Sequence, residues 1–194
     1  MIINRNTPVI LGTDASTAVT HAAKNLRRDL KAVCTGTDEI ENRILLEPAD
    51  LPDEAYEVRV EDLDLVIRAS GELGFVYGIY EVSREILGVE NFWFWNDQRF
   101  VTVDHVTGPE DYVKYGAPSS VRFRGWFIND EVLIQAWSVE GKKEKPWEMV
   151  FEALLRCGYR GTSRKLCAYL LRSGCTGGGC RLSGTIPQIC TGIR

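Results

Sequence analysis

A chain of 194 residues, 44% of them hydrophobic, has room for one domain, or for one and part of another, with a true core. The formal net charge of −4 conceals two opposed stretches: residues 1–156 hold 17 Lys and Arg against 27 Asp and Glu, whereas residues 157–194 hold six against none. So acidic a body is a poor match for a phosphate backbone, and no run approaches the ~18 apolar residues of a membrane span, so neither nucleic acid nor membrane is expected as a partner.

Residues 8–11 read as a short strand ending at Gly12. Asp14 or Ser16 then offers a helix N-cap, and Val19, Ala22, Ala23, Leu26, Leu30 and Val33 follow at helical spacing until Gly36 stops the helix. Residues 44–46 make a second strand. Tyr56, Val58 and Val60 alternate with charged residues, turn tightly at 62–64 and return over 65–67 as a hairpin. Gly71 and Gly74 bracket a loop before a second amphipathic helix carrying Phe75, Val76, Ile79, Val82 and Ile86, closed by Gly88. This order predicts an α/β (α+β) class, one small sheet with helices packed on it.

Next come Phe92, Trp93, Phe94 and Trp95, then Asn96 and Asp97. In a strand, Phe92 and Phe94 would face one way and the two tryptophans the other. Such rings either fill a domain interface or stack on sugar rings. After a Gly/Pro-containing linker, residues 121–128 read as a fresh strand that releases Asn129, Asp130 and Glu131 at its end. A strand delivering polar residues there resembles the way a β/α barrel supplies its active face, although such residues also make ordinary solvated turns. Pro146 opens a helix whose stripe is Trp147, Val150, Phe151, Leu154 and Leu155.

Other chemistry finds little support. Gly71, Gly74 and Gly78 lack the spacing and the Lys-Ser/Thr of a phosphate cradle, and close helix-to-sheet packing explains Gly74 and Gly78 better. His21 and His105 are isolated, and the cysteines at 157, 167, 175, 180 and 190 contain no C-x-x-C pair. No metal or other cofactor is expected. The N-terminus lacks the apolar core of a secretory leader and the body has only Cys34, which together predict a cytoplasmic protein.

Three stretches carry a family resemblance: residues 73–89, Phe92 to Asp97 as quoted above, and Phe123, Arg124, Gly125, Trp126, Phe127, Ile128, Asn129, Asp130 and Glu131 with the helix that ends at Gly158. Together these resemble glycoside hydrolase family 115, the xylan α-glucuronidases. The small domain is also similar to those of family 20 hexosaminidases and family 67 glucuronidases. The resemblance implies an N-terminal α/β domain over 1–115. It also implies the first strand–helix unit of a truncated (β/α)8 barrel over 116–158. It implies removal of glucuronic acid side chains from xylan-type polysaccharide, with inversion. Asn129, Asp130, Glu131, Trp95 and Asp97 would contact substrate, and the main acid/base pair would lie on later strands absent from this chain.

Residues 159–194 depart from the family, being rich in Cys, Gly and Arg. They are expected to be disordered, the product of a frameshift or truncation, and the fragment is expected to be inactive alone. Two other readings stay open. One is a stand-alone carbohydrate-binding module using Phe92 to Trp95, and the other is a subunit that docks through exposed barrel-strand surface.

Overall fold

A computed structural model describes residues 1–128 and 131–162. The chain divides into two compact units, Met1–Ser120 and Val121–Arg194. In chain order the first unit contains β1 (Ile2–Ile3), β2 (Val9–Ile10), α1 (Thr17–Val33), β3 (Ile44–Pro48), β4 (Tyr56–Glu61), β5 (Asp64–Ala69) and α2 (Glu72–Glu81). The last of these runs on into a π-helical turn (Val82–Ile86), followed by β6 (Val106–Thr107) and β7 (Val113–Gly116). The expected α/β class is what forms. Its main sheet has the order β2-β3-β5-β4-β7, and β1 pairs separately with β6.

Local chemistry explains the elements. Ser16 caps α1, its hydroxyl accepting from the Val19 N–H at 3.3 Å. The apolar stripe from Val19 to Val33 is buried. The helix ends before Gly36, because Cys34 turns extended and bridges to Val103. Gly36 serves a different purpose: its N–H donates to the Asp104 carbonyl at 2.8 Å, and a Cβ there would lie 2.5 Å from that oxygen. The hairpin turns on Asp62 and Leu63, both with positive φ (48° and 72°), as a two-residue type I′ turn requires. It places Val58 opposite Ile67 and Val60 opposite Leu65, all buried.

β5 is the hinge of the sheet's topology. It pairs antiparallel with β4 on one side and parallel with β3 on the other, and β3 is parallel to β2. The glycine-rich segment after it therefore follows a strand that is both a hairpin arm and a parallel strand. It is also not a loop as far as Gly74: α2 begins at Glu72. Gly74 and Gly78 allow α2 to sit directly on the sheet. A Cβ on Gly74 would lie 2.4 Å from the Ala55 carbonyl oxygen, and one on Gly78 would lie 2.6 Å from Ile67 Cγ2. The π-helical turn adds one residue to the helical repeat, so the buried positions move from the expected Ile86 to Leu87 and Val89. Gly88, at φ 67°, then releases the chain.

The second unit contains β8 (Gly125–Trp126), α3 (Glu131–Gln135), α4 (Lys145–Arg156) and β9 (Gly161–Thr162). The strand expected over 121–128 is thus only two residues long. Strand length is set by the partner, and the partner here is β9, paired in parallel as Gly125 with Gly161 and Trp126 with Thr162. Among the described residues β9 is the one strand that β8 pairs with. Val121 and Phe123 fall outside the ladder and are exposed. α4 carries the expected stripe, and its Trp147 and Phe151 pack with Ile128 and Ile134. Glu152 and Arg156, four residues apart, form an ion pair at 2.9 Å with both side chains almost wholly shielded from water. Among the described residues no helix is long and apolar enough to cross a membrane.

Candidate functional site

The aromatic stretch is not a strand. Residues 91–97 are a run of turns, with the Trp93 N–H donating to the Glu90 carbonyl at 3.1 Å and the Asn96 N–H to the Phe92 carbonyl at 2.9 Å. The expected alternation of faces therefore does not apply. The rings instead meet edge to face, Trp93 with Phe94 at 5.8 Å and Phe94 with Trp95 at 5.3 Å between centroids, the preferred geometry of aromatic pairs. Arg28 of α1 lies over Trp93, its guanidinium carbon 4.6 Å from the ring centroid, and also pairs with Asp29 at 2.7 Å. Gln98 closes the turn: its amide donates to the Gly88 carbonyl at 2.7 Å and accepts from the Glu90 N–H at 2.9 Å. Neither Arg28 nor Gln98 is marked by the sequence pattern, since one looks like a solvated helix face and the other like a linker.

Within this turn Trp95 is half-buried and Asp97 is exposed, with a positive φ of 48°. The turn thus brings these two candidate residues together on one loop of the first unit. In the second unit Asn129 and Asp130 lie outside the described residues, and Glu131 opens α3. In chain order Asn129 and Asp130 stand between the C-terminal end of β8 and α3, whose first residue is Glu131. No group of three or more His, Cys, Asp or Glu side chains able to hold a metal occurs among the described residues.

Another concentration of titratable groups in the first unit, around Glu81, is self-satisfied. Glu81, buried at the end of α2, receives both Arg84 contacts at 2.9 and 3.1 Å and stands 3.4 Å from the Lys114 ammonium of β7. Burial pushes the Tyr56 phenol well up, and the charge of Glu81 and a hydrogen bond to it push it further. Burial raises Tyr112 as well, again with Glu81 adding to it, and burial raises the Cys34 thiol. Groups that hold their proton more tightly when folded stabilise the fold below their unfolded values, and that contribution fades as pH rises past them. With ordinary values of about 8.5 for cysteine and about 10 for tyrosine, stability should hold through neutral pH and decline from roughly pH 9 upward. Circular dichroism across an alkaline titration checks this, and Tyr56→Phe should flatten the decline.

Against this geometry, residues 116–161 match the family model of glycosyl hydrolase family 115. The matched span runs from the end of β7 through β8, α3 and α4 to the first residue of β9. Similarity to family 115 thus continues to Gly161, past Gly158 where it was expected to stop, and residues 163–194, expected to be disordered, lie outside the described residues. The fold agrees. The chain is similar to the solved structure of BtGH115A, described as a novel family GH115 4-O-methyl-α-glucuronidase with specificity for decorated arabinogalactans. The TM-score is 0.68 and the identity 26%, over 83% of this chain and 25% of that one. It is also similar in fold to the GH20 exo-β-N-acetylglucosaminidase from Vibrio harveyi, at TM-score 0.55 and 14% identity over 83% of this chain and 22% of that one. The chain therefore spans about a quarter of the length of the family 115 enzyme that it matches. No protein of curated function matches the sequence.

Proposed function

We propose that this chain is the N-terminal part of a glycoside hydrolase that removes glucuronic or 4-O-methylglucuronic acid side chains from xylan-type polysaccharide. The observation that carries this reading is the family 115 match over 116–161, which covers the strand, the polar residues after it, both helices and the first residue of the return strand. In this reading β8 and α4 are the first strand and helix of a (β/α)8 barrel, whose active face lies at the strand C-termini. Asn129 offers a donor and an acceptor, while Asp130 and Glu131 accept from sugar hydroxyls. Two carboxylates do not attract a uronate carboxylate, so its cationic partner belongs elsewhere in the full enzyme. By the same family resemblance Trp95 and Asp97, on the aromatic turn of the first unit, are candidate sugar contacts in their own right.

Inversion needs an acid and a base about 6.5–9.5 Å apart, with water between them. That pair would sit on later strands, so this polypeptide should be inactive alone. Purified chain incubated with glucuronoxylan, and separately with a glucuronate-decorated arabinogalactan, should release no uronic acid above a buffer blank. Release from either would overturn the inactive-fragment reading, and release from the second alone would replace xylan as the substrate. A second reading, a carbohydrate-binding module, draws on the stacked rings of the aromatic turn. Retention on a glucuronoxylan column that is lost in Trp93→Ala/Trp95→Ala would favour it.

A further inference from the structure

We infer that Arg124 is a positioning residue, whose guanidinium fixes the register in which β8 pairs with β9. α4 ends in a Schellman turn. The Gly158 N–H donates to the Leu155 carbonyl at 3.0 Å, the Tyr159 N–H donates to the Leu154 carbonyl at 3.1 Å, and Gly158 has a φ of 74°. That turn leaves the Gly158 carbonyl pointing away from the helix, and the Arg124 Nε donates to it at 3.0 Å. Nη1 of the same guanidinium donates to the Val121 carbonyl, which holds the fork from the other side. The Arg124 backbone carbonyl in turn accepts from the Arg160 N–H at 3.1 Å. One residue therefore grips the returning chain twice, by side chain at 158 and by main chain at 160.

The grip matters because the ladder that it starts is weak. β8 and β9 pair over two residues each, in parallel, which is the less stable of the two pairing modes. So short a ladder does little by itself to oppose a slip by one residue, and a slip would exchange the faces of the side chains in it. Bonds from a charged guanidinium are stronger than neutral ones, and its planar fork fixes two directions at once. The cation also sits just past a helix C-terminus, where the helix dipole favours it. Trp126 meets Tyr159 edge to face at 5.8 Å across the same junction. This role for Arg124 goes beyond the proposed activity and does not depend on the substrate.

The test is amide hydrogen exchange on the full chain, comparing Arg124→Gln and Arg124→Lys with the unsubstituted protein. In Arg124→Gln, protection of the amides at 160–162 should fall at least tenfold, while those at 150–154 in α4 change less than twofold. Arg124→Lys, which retains a cation but not the fork, should fall between. If Arg124→Gln does not fold, Arg124→Lys alone carries the comparison. Unchanged protection at 160–162 would overturn the inference. So would a loss shared equally by α4, because Arg124 would then be a general stabiliser with no bearing on register.

Discussion

Gly74→Ala is expected to destabilise the first unit by about 2 kcal/mol, the net of a packing cost at the upper end of ~1–3 kcal/mol and a helix-propensity gain of ~1 kcal/mol. The cost is high because the added methyl meets backbone. It would lie 2.4 Å from the Ala55 carbonyl oxygen and 2.9 Å from the Ala69 Cβ, and both residues are fully buried. Neither can swing aside, so α2 would have to lift off β4 and β5. Gly78→Ala meets Ile67 Cγ2, the end of a side chain that can rotate, and should cost less. Gly88→Ala has open space around it and pays only for its φ of 67°, on the order of 1 kcal/mol. Urea unfolding followed by circular dichroism should rank the three as Gly74, then Gly78 and Gly88. A Gly74→Ala variant as stable as the parent would mean that the helix does not rest on the sheet as closely as described.

Glu152→Ala should cost about 3 kcal/mol in the second unit, the scale on which breaking a buried ion pair is felt. Its carboxylate pairs with Arg156 at 2.9 Å, with side-chain exposures of 4% and 0%. Once the carboxylate is removed, the guanidinium stays shielded from water without that counter-charge. Replacing both members by apolar residues of similar size, Glu152→Leu with Arg156→Met, should recover most of the loss, because neither charge then needs solvation. Thermal unfolding of Glu152→Ala, Arg156→Met and the double variant measures the difference. Additive losses in the double variant would show that the two side chains act independently.

The parts of the fold legible in the sequence are those decided by neighbours three, four or two positions away. α1 follows its stripe from Val19 to Val33, and the hairpin follows the alternation at Tyr56, Val58 and Val60. Where the outcome depends on distant partners, the sequence is silent. Eight residues at 121–128 have strand character, yet only Gly125 and Trp126 find a partner, in β9. The π-helical turn after α2 adds a residue that periodicity cannot register, which is why Leu87 rather than Ile86 faces inward. The aromatic stretch has the composition of a strand, but Gln98, bonded back to Gly88 10 residues earlier, and Arg28 of another helix hold it as turns. Of the candidate site, Trp95 and Asp97 are legible as residues, but the shape of their loop is not.

The pairing at the very start of the chain has a consequence for the first unit. The Met1 ammonium donates to the Gly108 carbonyl at 3.4 Å, the Gly108 N–H donates back to the Met1 carbonyl at 3.1 Å, and Ile2 and Ile3 pair with Thr107 and Val106. The polypeptide thus comes home to its own first residue after one circuit. Residues 1–3 and 106–108 therefore act as a clasp, beyond which the unit continues through β7 to Ser120. A change in either half of the clasp is thus felt at the other, 107 residues away along the chain.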